Sequence, residues 1–351
     1  MSLSKKLLKS NLEFKNLNKI KNEFKIFTPN IIQNFKIRQD NSGKKFNKNV
    51  FYSKFTPKFI VNEIQNNFNY LNYFESKYKT NILHIYYYND TSKINYYDLQ
   101  LKIIKIFSVM EYFNINNKKI VYNLALTKFE KKINNRELEI GPDTVNSGFT
   151  SFYLNSDPII SIFRKEESDR LVIHELIHCL RLDFENFSKI NDVILKEMNI
   201  FQDVKYINFF EAYTDSIAII FNSVLNSILC FKDLNNIFYT ELKYIEDTAL
   251  LILNHYNLKN TNQLFKKNKK NKKNKIYQKT SVLSYYLLKL GLLSDVDNFL
   301  RINLKKKIGV NKALKLYYFS KNNLLTNEFN FNNLNKKSLK MSYNEIDTAV
   351  F

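Results

Sequence analysis

All four prolines of this 351-residue chain, Pro29, Pro57, Pro142 and Pro158, fall within its first 158 residues. Proline lacks an amide hydrogen and clashes with the preceding helical turn, so it breaks helix interiors. The asymmetry predicts mixed structure in the first half and a mostly helical second half. Periodicity fills in the pattern. Residues 1–55 are rich in Lys and Asn and weakly periodic, and read as a loosely ordered arm. Apolar residues at Ile60, Ile64, Phe68, Leu71 and Phe74 predict a helix over 59–78. The segments ILHIYYY (82–88), KIVYNLALT (119–127) and IISIFR (159–164) read as strands, with a helix over 97–113. A loop over 131–153 contains NSGFT (146–150), which reads as a turn. Helices are expected over 207–230, 236–256, 276–293 and 308–319. The fold class is therefore α+β: an α/β subdomain with a small mixed sheet over 56–165, then a helical subdomain over 166–351.

The net charge of +21 is weaker evidence than its size suggests, because 48 of the 54 cations are lysine and only six are arginine. Abundant Lys, Asn, Ile, Phe and Tyr with five glycines and no tryptophan is the usage of an AT-rich coding sequence. Basicity of that origin still attracts polyanions weakly. The tract KKNKKNKKNK (266–275) reads as a solvated low-complexity loop for the same reason. Two cysteines make neither a disulfide framework nor a Cys-rich zinc fold. No apolar run reaches the ~18–20 residues of a membrane helix, and the first sixteen residues hold no continuous apolar segment. An intracellular chain without signal peptide or membrane span is expected.

The chemistry concentrates around two of the four histidines. LVIHELIHCLRL (171–182) carries His174-Glu175-x-x-His178 on an expected helix, which starts with Glu166, Glu167 and Asp169 in the dipole-favoured first turn. Spacing of i and i+4 sets both imidazoles on one face, where they can ligate one metal ion. Glu175, beside the first ligand, is placed to act on water rather than on the metal. A hydrolytic zinc site needs a third protein ligand. Asp183 lies five residues beyond His178, but CLRL is good helix and should turn it away. Glu211, in NFFEAYTDSIAII, stands 33 residues after His178 with Asp215 one turn later. This pair would supply a zinc ligand (Glu211) and an acceptor for the far nitrogen of His174 (Asp215). Asn208 followed by Glu211 also matches a helix capping box, in which the glutamate would serve only backbone amides.

HELIH followed by EAYTD resembles the gluzincin branch of the zincin metallopeptidases. The stretch NSGFT…IISIFRKEESDRLVIHELIH is similar to uncharacterised metallopeptidase-like proteins of large DNA viruses, and the similarity covers about residues 119–220. The resemblance implies a zincin-like fold, one Zn2+ per chain and hydrolysis of peptide or protein substrates, with Glu175 as general base. It also implies that the strand before the active helix, Ile159, Ile160, Ser161, Ile162 and Phe163, is an edge strand on which substrate lies extended. A downstream Tyr or His would stabilise the transition state, with Tyr285, Tyr286 and His255 as candidates. Two other readings stay open: a catalytically silent zincin-fold structural or virion protein, and a basic nucleic-acid-binding protein.

Overall fold

The computed structural model of the chain describes residues 14–41, 47–133, 139–152, 156–183, 188–198, 207–265, 276–302, 304–305, 308–326 and 339–340. The Lys/Asn tract at 266–275 lies outside the described residues. The fold is mixed α+β, as expected. Six strands form one sheet: β1 (Lys36–Gln39), β2 (Tyr70–Tyr78), β3 (Asn81–Asn89), β4 (Lys119–Thr127), β6 (Gly148–Ser151) and β7 (Ile159–Arg164). Their spatial order is β1-β2-β3-β4-β7-β6. The central pairs β3–β4 and β4–β7 are parallel, while β1–β2, β2–β3 and β6–β7 are antiparallel. A two-residue strand β5 (Glu139–Ile140) pairs separately with β8 (Tyr277–Gln278).

The central strands are buried on both faces, which is why they read as nearly continuous apolar runs. Tyr122 and Leu124 of β4, with Ile160 and Ile162 of β7, face the main core. Ala125 and Phe163 face a thin second cluster built with Ile60 and Ile64 of α2 (Lys58–Asn67). The main core is closed by α1 (Lys15–Asn34), α3 (Tyr96–Tyr112), α4 (Ser168–Cys179), α5 (Ser188–Glu197), α6 (Phe209–Leu229) and α7 (Leu234–His255). One contiguous cluster runs from Phe14 to Leu339, through both halves of the chain. Among the described residues no helix is long and apolar enough to cross a membrane.

Four expectations are corrected. The described part of the 1–55 arm includes a twenty-residue helix, α1, rather than loose chain. Its Leu17, Ile20, Phe24 and Ile31 are buried, and Phe24 stacks on Tyr112 of α3 at 5.1 Å. The amides of Lys15 and Asn16 at its start donate to the Asp297 carboxylate at 3.1 and 3.0 Å, so a distant residue supplies the missing cap. The helix expected over 59–78 ends at Asn67 and gives way to β2. Leu71 and Phe74 are three apart, a helical spacing that in a strand points to opposite faces, and they pack in the two different clusters. The helix expected from residue 276 begins later, at Val282, and passes through a π turn at Ser284–Leu288 into α8 (Lys289–Leu293).

The fourth correction bears on function. Strand β7, with Ile159, Ile160, Ser161, Ile162 and Phe163, lies between β4 and β6 and is not an edge. The edge on this side of the sheet is β6, in the NSGFT segment read as a turn, and β1 is the other edge. The 2.9 Å bond from the Phe163 amide to the Ser147 carbonyl sets the phase of the ladder. By antiparallel alternation the main-chain groups of Phe149 and Ser151 face β7, and those of Gly148 and Thr150 face outward.

Behind the sheet, α8 crosses α9 (Val310–Thr326) at a contact only glycine allows: a Cβ at Gly291 would stand 2.4 Å from the carbonyl oxygen of Ser320. That oxygen belongs to the backbone and cannot swing aside. Gly291→Ala should therefore destabilise the fold by about 1–3 kcal/mol through overpacking, measured by urea denaturation against Gly309→Ala, whose Cβ would meet nothing within 4 Å. Equal midpoints for the two variants would contradict the packing described.

Candidate metal centre

Helix α4 follows β7 after a tight turn in which Glu167 takes a left-handed φ of 68°. All of its residues except His178 are buried, because α3, α6 and the sheet enclose it. His178, half-buried, faces a cleft of about 860 Å³ that His174, Glu175, Thr150, Glu211 and Tyr285 also line.

Three ligand atoms converge at the floor of this cleft. His174 Nε2 and His178 Nε2 are 3.1 Å apart, and Glu211 Oε2 lies 3.4 Å from each. Donors bound at about 2.0–2.1 Å to one tetrahedral ion stand about 3.3 Å from one another, so the triangle has the dimensions of a metal site. Its chemistry agrees. His174 Nδ1 meets Asp215 Oδ1 at 3.2 Å and His178 Nδ1 meets Asp183 Oδ2 at 2.7 Å. A carboxylate accepts, so both Nδ1 atoms are assigned the hydrogen and both Nε2 atoms of the neutral rings present lone pairs. Glu211 Oε2 is buried and has no hydrogen-bond partner among the described residues. Three acceptors thus point at one spot with no hydrogen between them, an arrangement that requires a cation or a proton. These three side chains could hold a metal ion.

Without a metal ion, the charges divide unequally. Burial holds the His174 imidazole down to about 3. Burial opposes a charge on His178 as well, but the Glu211 and Asp183 carboxylates together outweigh it and raise its pKa well above the ordinary value. The Glu211 carboxyl, which burial alone would raise, is held well below the usual carboxylate range by His178 and by its contacts with both imidazoles. A proton on His178 is the stand-in for the cation.

Asp215 sits where the sequence spacing suggested, on the face of α6 turned to His174, where Arg170 and Lys289 also pair with it. The capping-box alternative for Glu211 fails, because the Asn208 side chain accepts a 2.8 Å bond from Asn191 instead of capping α6. Asp183 was expected to turn away and does not. Helix α4 ends at Cys179, Arg181 adopts a left-handed φ of 51°, and the chain doubles back so that Asp183 meets His178. The reversal that usually calls for glycine is made by an arginine. Asp183 is thus a partner of the histidine and not a third ligand.

Glu175 is enclosed beside the triangle. Thr150 of β6 donates to Glu175 Oε2 at 2.8 Å, and a Cβ on Gly148 would come within 3.0 Å of the Ser161 carbonyl and 3.5 Å of Glu175 Oε1. Burial pushes the Glu175 carboxyl up to about 7. Of the three transition-state candidates, only Tyr285 enters the cleft. Burial and the Glu211 and Glu175 carboxylates raise its phenol well above the ordinary value, so it remains a donor. Tyr286 donates instead to the Leu339 carbonyl at 2.6 Å, and His255 packs on Tyr256 at the end of α7. Thr150 and Asp183 are the site residues that sequence reasoning missed. The rare glycine of NSGFT was the available signal for the first, and nothing local signalled the second.

The Asp183 contact is testable. Asp183→Ala should weaken binding of a divalent transition-metal ion about 10–100-fold, the usual cost of losing the group that orients a ligating histidine. Competition with a chromophoric chelator would measure it, and undiminished affinity would remove Asp183 from the site. Binding to the parent should release a proton at neutral pH, because the His178 proton must leave, so affinity should fall as pH is lowered.

No family model, curated protein or solved structure matches the chain.

Proposed function

We propose that the chain is a zinc-dependent hydrolase of peptide bonds, with one ion held by His174, His178 and Glu211. The observation that carries this reading is the convergence of three hydrogen-free acceptors beside a buried carboxyl group in an open cleft. Two imidazoles and one carboxylate are a donor set of catalytic zinc sites, which leave a fourth position open. The ion, when bound, supplies Lewis acidity that polarises a carbonyl and acidifies water. Glu175 accepts the proton of the attacking water and delivers it to the leaving amine as the C–N bond breaks. Thr150 fixes that carboxylate through Oε2 and so orients it. The Tyr285 hydroxyl is the cleft donor suited to the oxyanion. An extended peptide would pair with the outward main-chain groups of Gly148 and Thr150, continuing the sheet by one strand.

Glu175→Gln tests the assignment. It should retain one zinc per chain by mass spectrometry and lose about 10²–10⁴-fold in kcat on a denatured-protein substrate. Turnover equal to the parent's would refute the base, and bound zinc with no turnover in the parent would favour the silent alternative. Stability gives a second readout. The folded pKa of Glu175, about 7, lies above its ordinary 4.5. The neutral carboxyl therefore contributes its full stability below pH ~4.5, and that contribution is lost as pH rises through about 7. In metal-free protein Glu175→Gln should leave Tm nearly unchanged at pH 4.5 and raise it at pH 8.

A further inference from the structure

Sequestered charge dominates the floor of the cleft, but its rim carries a different signal. The three carboxylates that line it are engaged: Glu211 at the triangle, Glu175 on Thr150, and Asp183 turned inward to His178 and Thr214. Arg181 also lines the cleft, and it is exposed. Its guanidinium lies over the Phe152 ring at 4.9 Å, and no carboxylate among the described residues pairs with it. Phe152 immediately follows the edge strand β6. The left-handed Arg181 backbone at the end of α4 directs the side chain across the cleft mouth to that ring. Stacking on an aromatic face orients a guanidinium while leaving its N–H fork available.

We infer that Arg181 is a specificity-determining residue that receives a carboxylate of the substrate. This rests on the proposed peptide hydrolysis. Thr150, whose hydroxyl holds Glu175, and Phe152 are two residues apart, or about 7 Å along an extended chain. A substrate strand laid along β6 would therefore bring to Arg181 a group one or two residues from the bond to be cut. The guanidinium fork matches a carboxylate in bidentate geometry, which a neutral or cationic group cannot satisfy. Lys54 lies over the Phe55 ring, and the Phe55 carbonyl accepts a bond from Asn146 just before β6; a lysine there is a flexible point charge and offers no such fork. The carboxylate can come from an Asp or Glu side chain or from the terminus of a short peptide.

The test compares zinc-loaded parent, Arg181→Gln and Arg181→Glu on three peptide sets. These vary one residue within two positions of the cleaved bond among Glu, Gln and Lys, in long chains, or present a free or an amidated C-terminus. The parent should prefer the carboxylate by about tenfold in kcat/KM; Arg181→Gln should abolish the preference, and Arg181→Glu should invert it towards Lys. Preference confined to the free C-terminus assigns the terminal carboxylate, and preference within the long chains assigns the side chain. Binding of the same peptides to zinc-loaded Glu175→Gln, by fluorescence anisotropy, reads selection without turnover. Cleavage by the parent with a carboxylate preference absent, or unmoved in Arg181→Glu, overturns the inference while leaving the hydrolase standing. A parent that neither cleaves nor binds any of these peptides overturns both.

Discussion

A carboxylate sealed from water keeps its charge only if cations are brought to it, and the burial of Asp215 imposes that condition on the whole centre. Arg170 from α4 and Lys289 from α8 converge on it, and what remains of its accepting capacity orients His174. Arg170 continues to Glu167, and Glu167 to Lys131, giving an alternating chain of five buried charges. Burial, with the Arg170 guanidinium beside it, pushes the Lys289 amine down, and burial pushes the Lys131 amine down to about 8. Such a network adds little net stability compared with well-packed apolar residues, but removing one member strands a charge. Its effect is geometric: α4, α6 and α8 have one relative placement in which every charge is met.

That placement explains how a short, strongly buried helix can carry reactive groups. On the side of α4 facing α3, Asp169 meets Lys102 and Lys105 at 2.8 and 2.7 Å, which fixes the start of the helix. The opposite side presents the histidines to Glu211. The edge strand then closes over Glu175 through a threonine hydroxyl and a glycine too small to obstruct it. The converging side chains sit on helices and a strand, while Arg181 and Phe152 meet solvent at the rim.

Much of this could be read from the residues themselves. The bounds of β4 and β7 coincide with the apolar runs at 119–127 and 159–164, because central parallel strands are buried on both faces. His174, His178, Glu211 and Asp215 follow from helical spacing, since i and i+4 share a face in any helix. The failures have physical causes. Helix α1 has its buried stripe at Leu17, Ile20, Phe24 and Ile31, but lysine and asparagine dilute it and Pro29 interrupts it. Its cap comes from Asp297, which no local window contains. Strand β6 is four residues long and only half-buried, too short for alternation to show. Asp183 escaped because helix propensity favours continuation through CLRL, while the tertiary bond to His178 favours a left-handed arginine.

The centre draws on Thr150, on the segment from Glu167 to Asp183, on Glu211 and Asp215, and on Tyr285 and Lys289, while Leu339 closes over Tyr286 behind it. Contacts separated so widely along the chain form late, after the loops between them have closed. A ribosome adding residues in order would expose the two histidines long before α8 arrives to complete the cage around Asp215. Nascent chain of that length already holds Arg170 but lacks Lys289, the second of the two cations on Asp215. The fixed placement of α4 against α6 is thereby tied to near-completion of synthesis, and a chain stopped before α8 would carry the HELIH sequence without Lys289 to complete the buried charges behind it.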